Sequence, residues 1–217
     1  MIRAAGEGSP SDRQEFARRY EPLVRAYFGA RWRDTPLLDD LEDAVQDVFI
    51  ECFKDGGALD RADPSRPSGF RAFLYGITRR IARNNERRRA NRRDRQAVTR
   101  FDLQAIEARE PTLSRVFDKA WAQSLLQESV ERLADRAFSH GPAARRRFDL
   151  LRLRVWQAMP IRDIAERWDV DAARLHHDYA RARDEFKSAL MEVVAFHVPG
   201  TSAEVERTCI ELLSYLE

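Results

Sequence analysis

The sequence is poor in the residues that build covalent or metal frameworks: of 217 residues, two are cysteine and four histidine. Cys52 and Cys209 stand far apart, in no Cys-x-x-Cys pair and near no spaced histidines. That excludes a disulfide scaffold and a zinc site, and marks both as small core residues. His176 and His177 are adjacent, so on a helix their side chains leave about 100° apart, which does not suit a shared metal. No apolar run approaches the roughly 20 residues that a membrane span takes, and the first residues hold no apolar signal core. A cytoplasmic protein without a membrane partner is the expectation. A glycine-rich phosphate loop is missing too, which speaks against NTP hydrolysis. Strand-like alternation and internal repeats are absent, and the sole low-complexity tract is a run of arginines.

Charge is present in quantity, and it is segregated. Charged residues make up 34% of the chain, yet the formal net charge is only +2. Acids crowd before about residue 55 and arginines follow residue 78, so local field matters more than net charge. With 43% hydrophobic residues, the chain can build one medium core or two small ones. The expected fold class is all-α. Phe16, Tyr20, Leu23, Val24, Tyr27 and Phe28 follow the 3.6-residue period and predict a helix over about 12–32. A second, over about 38–53, buries Leu41, Val45, Val48, Phe49 and Cys52 and leaves Asp39, Glu42, Asp43 and Asp47 outside. Residues 55–69, with Gly56-Gly57 and two prolines, form a loop. From Phe70 the period returns through Phe73, Leu74, Ile77 and Ile81, then fades into arginines that continue to Arg95. Such an order supplies a protein-docking face and a nucleic-acid face of opposite sign, close together.

Residues 96–111 lack an apolar face and end at Pro111, which places a linker at 96–112 between a first domain at 12–95 and a second at 113–197. The second opens on a helix with Leu113, Val116, Phe117, Ala120, Trp121, Leu125, Leu133 and Ala134. After a turn at 139–142, a helix over about 143–157 turns Phe148, Leu151, Val155 and Trp156 inward. Pro160 then suits the start of a short helix, Asp169-Val170-Asp171 a tight turn, and Asp171 the cap of a further helix that buries Leu175, Tyr179, Ala182 and Phe186. This is the pattern of a helix-turn-helix, with Ala172, Ala173, Arg174, His176, His177, Asp178 and Arg181 facing outward. Beyond residue 197, Pro199-Gly200 breaks the chain, Ser202 can cap, and Val205, Cys209, Leu212, Leu213 and Leu216 predict a helical extension over 198–217.

The strings LEDAVQDVF (41–49) and FRAFLYGITRRIARNNERRR (70–89) resemble conserved region two of bacterial sigma factors. MPIRDIAERWDVDAARLHHDYARARDEF (159–186) is similar to their region four. The two-domain layout resembles the extracytoplasmic-function group (group IV) of the sigma-70 family, over about residues 15–190. The resemblance implies that Asp39, Glu42, Asp43, Gln46 and Asp47 dock on the clamp coiled coil of the beta-prime subunit of bacterial RNA polymerase, with the beta flap as a further contact. It implies that the loop and helix holding Asp60, Arg61, Ser68, Phe70, Arg71, Tyr75, Arg79, Arg80, Arg83, Arg87 and Arg88 take the opened minus-ten element of promoter DNA. Ala172, Ala173, Arg174, His176, His177 and Arg181 would meet the minus-thirty-five element. Taken alone, an acidic helix face is more often merely solvated, and Phe73, Leu74 and Ile77 read as core.

Departures from the family pattern bear on these assignments. The family commonly has Trp where Phe73 stands and Asn where Arg80 stands, and Asp178 would repel a phosphate. The C-terminal extension is reminiscent of sigma subgroups thought to answer to Ser/Thr kinases, which sets a kinase beside an anti-sigma factor as the expected regulator; packing on the second domain is the simpler role. No cofactor, metal or catalysis is expected. Two other classes fit less of the chain. A helix-turn-helix repressor or activator would bind duplex DNA without polymerase. A metal-dependent nucleic-acid enzyme would gather Asp43, Asp47 and Glu51, but nothing in the sequence completes its site.

Overall fold

The computed structural model describes residues 9–54, 56, 59, 69–93 and 107–215. The described secondary structure is helical throughout, as expected. The chain divides into two compact units, one of residues 1–124 and 212–217, the other of residues 125–211.

The first unit is built on α1 (Pro10–Arg31), a 3-10 turn (Pro36–Asp40), α2 (Leu41–Phe53), α3 (Gly69–Arg93) and the opening of α4 (Glu110–Ser139). Helix α1 starts where Pro10 occupies the first turn and the Ser9 hydroxyl accepts the Asp12 amide. Its apolar stripe, Phe16, Tyr20, Leu23, Val24, Tyr27 and Phe28, is fully buried. Ala44, Val45, Val48 and Cys52 of α2 and Leu74 and Ile77 of α3 are buried as well. Aromatic rings do much of the filling. The Phe16 ring lies 5.7 Å from Phe70, and Tyr20 stacks on Trp121 at 5.9 Å. Such pairs contribute about 0.5–1.5 kcal/mol each beyond the area they bury.

Three expectations shift here. The second helix does not run unbroken from 38, because Pro36 and the Thr35 hydroxyl set a 3-10 turn that carries Asp39 before the α-helix begins at Leu41. Helix α4 begins at Glu110, inside the expected linker, and the division between units falls between Ser124 and Leu125, not at residue 112. The reason is aromatic: Phe117 packs edge-on to Tyr75 (5.2 Å) and Trp121 lies against Phe70 (6.3 Å), so the start of α4 belongs to the first core.

The second unit holds the rest of α4, then α5 (Pro142–Val155), α6 (Ile161–Trp168), α7 (Ala172–His197) and most of α8 (Ser202–Ser214). Leu150, Ile161, Ile164, Ala165 and Leu175 make one buried cluster, with Trp168, Val170 and Tyr179 packed on it. A second cluster gathers Leu133, Leu151, Ala182 and Ala189, with Phe148 and Phe186. Val155, the last residue of α5, and Trp156, its C-cap, are exposed, contrary to expectation: both stand beyond the turn that Leu150 and Leu151 bury. Leu213 is exposed too, and Leu216 lies outside the described residues. Thr201, not Ser202, caps α8: its amide and hydroxyl donate to Glu204 Oε2 (2.7 and 2.8 Å), and its hydroxyl accepts the Glu204 amide. Among the described residues, no helix is long and apolar enough to cross a membrane and no group of three or more His, Cys, Asp and Glu could hold a metal ion.

Candidate functional site

Helix α2 buries one face through Ala44, Val45, Val48 and Cys52, which leaves Glu42, Asp43 and Gln46 on the other in water. Asp39, on the preceding 3-10 turn, is exposed as well, and Asp47 is half-buried. Not every acid here is free to meet a partner. Glu42 accepts two hydrogen bonds from Arg25 of α1, one of them 2.8 Å long, and these hold its carboxyl below the usual range. Glu51 is bound by Lys54 and by Arg80 (2.6 Å), which lower its pKa in turn. Exposed Leu38 and Ile50 flank the acidic face. Sequence reasoning missed both, since residue type marks them for the core and only the fold shows that they face water.

The arginines of α3 stand mostly in pairs. Arg71 binds Asp118, Arg79 Nε lies 3.2 Å from Glu110 Oε1, and Arg83 Nη2 lies 3.5 Å from Glu107 Oε1. Arg80 donates to Glu51, and Arg89 donates to Asp40 at 2.5 Å. Arg87 and Arg88 are exposed, and among the described residues no carboxylate pairs with them. Phe70, expected to stack on a base or pack in the core, is core. It is 9% exposed, in ring contact with Phe16, Tyr20, Phe73 and Trp121, so no base can reach its face. Tyr75 is half-buried and its hydroxyl donates to Glu110 (2.6 Å); burial and that carboxylate push its pKa up to about 12. Asp60, Arg61 and Ser68 lie outside the described residues.

Behind this face lies a charged centre that sequence reasoning missed. The Arg31 side chain is 0% exposed. Its Nε and Nη2 donate to the two oxygens of Glu86 (2.6 and 3.0 Å), and its Nη1 donates to Glu110 (2.6 Å). Trp32 Nε1 also donates to Glu86 (2.9 Å), and the Tyr27 hydroxyl to Glu110 (3.1 Å). Burial raises the carboxyl pKa of Glu110, but the hydrogen bonds from Tyr75, Arg31 and Tyr27 outweigh it and leave the pKa low. Each nitrogen of the guanidinium meets an acceptor, which a buried ion pair needs if it is to recover its desolvation cost. The centre fixes α3 and the start of α4 on α1.

In the second unit, α6 ends where Asp169 takes a left-handed conformation (φ 50°, ψ 57°), one that Asp tolerates better than most residues. The Val170 amide then donates back to the Ala165 carbonyl (3.0 Å), and Asp171 Oδ1 accepts the Arg174 amide (2.9 Å) to start α7. Ala173, Arg174, His176, His177 and Arg181 are exposed on α7, while Ala172 and Asp178 are half-buried. Ala172 is drawn onto the cluster around Leu150. The turn and its cap thus match the pattern read from sequence.

The first unit is matched by a known family: residues 16–93 fit the model of sigma-70 region 2. The matched stretch is similar to sigma-70 region 2 over about a third of the chain. No curated protein and no solved structure matches it. Sigma-70 region 2 serves promoter recognition and melting with core RNA polymerase, and the family is not one of enzymes. The matched stretch begins at Phe16 and ends at Arg93, so it holds α2, α3 and the Arg31–Glu86 pair, whereas Glu107, Glu110 and Asp118 lie beyond it.

Proposed function

We propose that this protein is a sigma factor of the sigma-70 family, of the extracytoplasmic-function group: it binds core polymerase through α2, opens and holds the minus-ten element with α3, and reads the minus-thirty-five element with α7. The carrying observation is the pairing of two faces in the unit that matches region 2, with Asp39, Glu42, Asp43 and Gln46 exposed on one and the arginines of α3 on the other. Exposed carboxylates steer and orient a basic partner such as the beta-prime clamp coiled coil more than they add to stability. Leu38 and Ile50 at the rim of that face would add apolar contact on docking. Arg87 and Arg88 are the cations of α3 most open to a phosphate, Arg80 and Arg83 follow once Glu51 and Glu107 yield, and Arg79 adds its charge from beside Glu110. No NTP is consumed, because strand opening is offset by binding of the freed strand.

In the second unit the capped turn supports the helix-turn-helix reading, with Arg174, His177 and Arg181 as the contacts to DNA and the beta flap as the polymerase contact. The cytoplasm is where such a factor works, and an anti-sigma factor or a Ser/Thr kinase acting on the extension at 198–217 is its regulator in this reading. Provided that expression and folding hold, deletion of residues 201–217 should then change promoter output. The decisive experiment is transcription in vitro with purified bacterial core polymerase on a library of promoter fragments. Asp43→Lys with Asp47→Lys should abolish core binding without unfolding the chain. Arg79→Ala, Arg80→Ala and Arg83→Ala together should leave core binding intact and block open-complex formation. Absence of both core affinity and directed transcripts would overturn the proposal, and tight operator binding without polymerase would favour a helix-turn-helix regulator instead.

A further inference from the structure

Arg71, Tyr75, Arg79 and Arg83 recur every fourth residue, so they form one stripe along α3, each about 6 Å beyond the last. Opposite this stripe stand Asp118, Glu110 and Glu107, in reverse order along the chain: Asp118 on Arg71, Glu110 on Tyr75 and Arg79, Glu107 on Arg83. A carboxylate presents two anionic oxygens to a guanidinium fork much as a phosphate does. The three acids therefore occupy the positions on the stripe that a nucleic-acid strand would take. Glu110 is also bound by Arg31 and Tyr27 and stays in place as the anchor. Glu107 differs: its side chain is 57% exposed, its contact is the longest of the three, and an exposed pair of that kind is weak.

We propose that residues 107–118 act as an intrachain phosphate surrogate, which masks the cationic stripe of α3 in the free protein and must yield at Glu107 and Asp118 before a single strand can be held. This rests on the reading of α3 as the strand-holding helix. Arg87 and Arg88, open to solvent one turn further on, make first contact with the strand, and Arg83 is released next. Affinity of the free chain for nucleic acid is thereby kept low.

The test uses the full chain and a fluorescein-labelled single-stranded DNA of mixed sequence, titrated by fluorescence anisotropy at several salt concentrations. Glu107→Gln with Asp118→Asn keeps shape and removes charge; affinity should rise roughly three- to tenfold and its salt dependence steepen, as freed cations release counterions from the strand. Glu107→Gln alone, at an exposed position that cannot threaten the fold, should give a smaller rise in the same direction. Asp135→Asn with Glu166→Gln removes two exposed carboxylates elsewhere and should change affinity little; an equal rise there would reduce the effect to net charge and overturn the proposal. An unchanged affinity in both Glu107 variants, with Arg83→Ala and Arg87→Ala still weakening the wild type, would overturn the mask and leave the strand-holding helix standing. If those arginine variants weaken nothing, both fall.

Discussion

The two units stabilise themselves by different means. The first places a guanidinium with no solvent exposure at its centre and surrounds it with Glu86, Glu110 and two aromatic donors. The cluster beneath the turn of the second is apolar, from Leu150 to Leu175; the ion pairs Arg136 with Glu192, Arg147 with Glu185 and Lys187 with Glu206 keep solvent exposure, and the buried contact of His197 with Glu128 (3.2 Å) lies outside that cluster. The difference teaches where sensitivity resides. A buried charge is intolerant of losing its partner, whereas an apolar cluster loses stability in proportion to the volume removed. A helix that must carry many arginines on one side gains geometric definition from such a centre, and accepts a point of fragility with it.

The sharpest way to break the comparison is Glu86→Ala, which leaves buried Arg31 with Nε and Nη2 unpaired and Glu110 alone to balance it; the first unit should lose about 3–5 kcal/mol. Urea denaturation followed by circular dichroism would measure it, and the cysteines would locate it. Burial pushes the Cys52 thiol up to about 12 and raises that of Cys209, so a thiol reagent reports opening of each unit separately. Cys52 labelling should accelerate in Glu86→Ala far more than Cys209 labelling.

Leu175→Ala is the counterpart in the second unit. It should cost about 2–4 kcal/mol by leaving a cavity in the cluster, with the order of labelling reversed. Equal sensitivity of both cysteines to both substitutions would dissolve the distinction between the units. Asp171→Ala removes the acceptor for the Arg174 amide and should cost about 1 kcal/mol, seen as a small drop in thermal midpoint.

The smallest effect separates the units by pH. Glu110 has a depressed pKa when folded, so the stability it contributes is complete above its ordinary value of 4.5 and is lost as pH falls through the folded value. Glu110→Gln should therefore flatten the loss of urea resistance on acidification from about pH 4.5 downward. Should the wild type and this variant decline in parallel, the carboxylate is not the acid-sensitive group of the first unit.

Much of this was legible in the sequence, and the remainder was hidden for a definite reason. The helices followed from periodicity. The cap at Asp171 followed from a short polar residue ahead of an apolar stripe, and the acidic and arginine-rich segments from their order along the chain. Local patterns cannot report partners distant in sequence. Arg31 and Glu110 are 79 positions apart, and Glu110 sits where no apolar face draws attention. Phe70 reads alike as a stacking platform or as core, and only the rings of Phe16, Tyr20 and Trp121 around it decide. Trp156 continued an apolar pattern, so its type suggested burial, yet it stands at the C-cap of α5 beyond the turn that Leu150 and Leu151 bury.

The Arg31–Glu86 pair also constrains how the chain can vary. Positions 55 residues apart are bound into one heritable element. Drift at either alone leaves a buried charge without its bidentate partner, so the viable step is simultaneous: relatives should keep both residues or have replaced both with neutral ones, and chimaeras that join a segment keeping its charged member to one that has replaced it should express poorly.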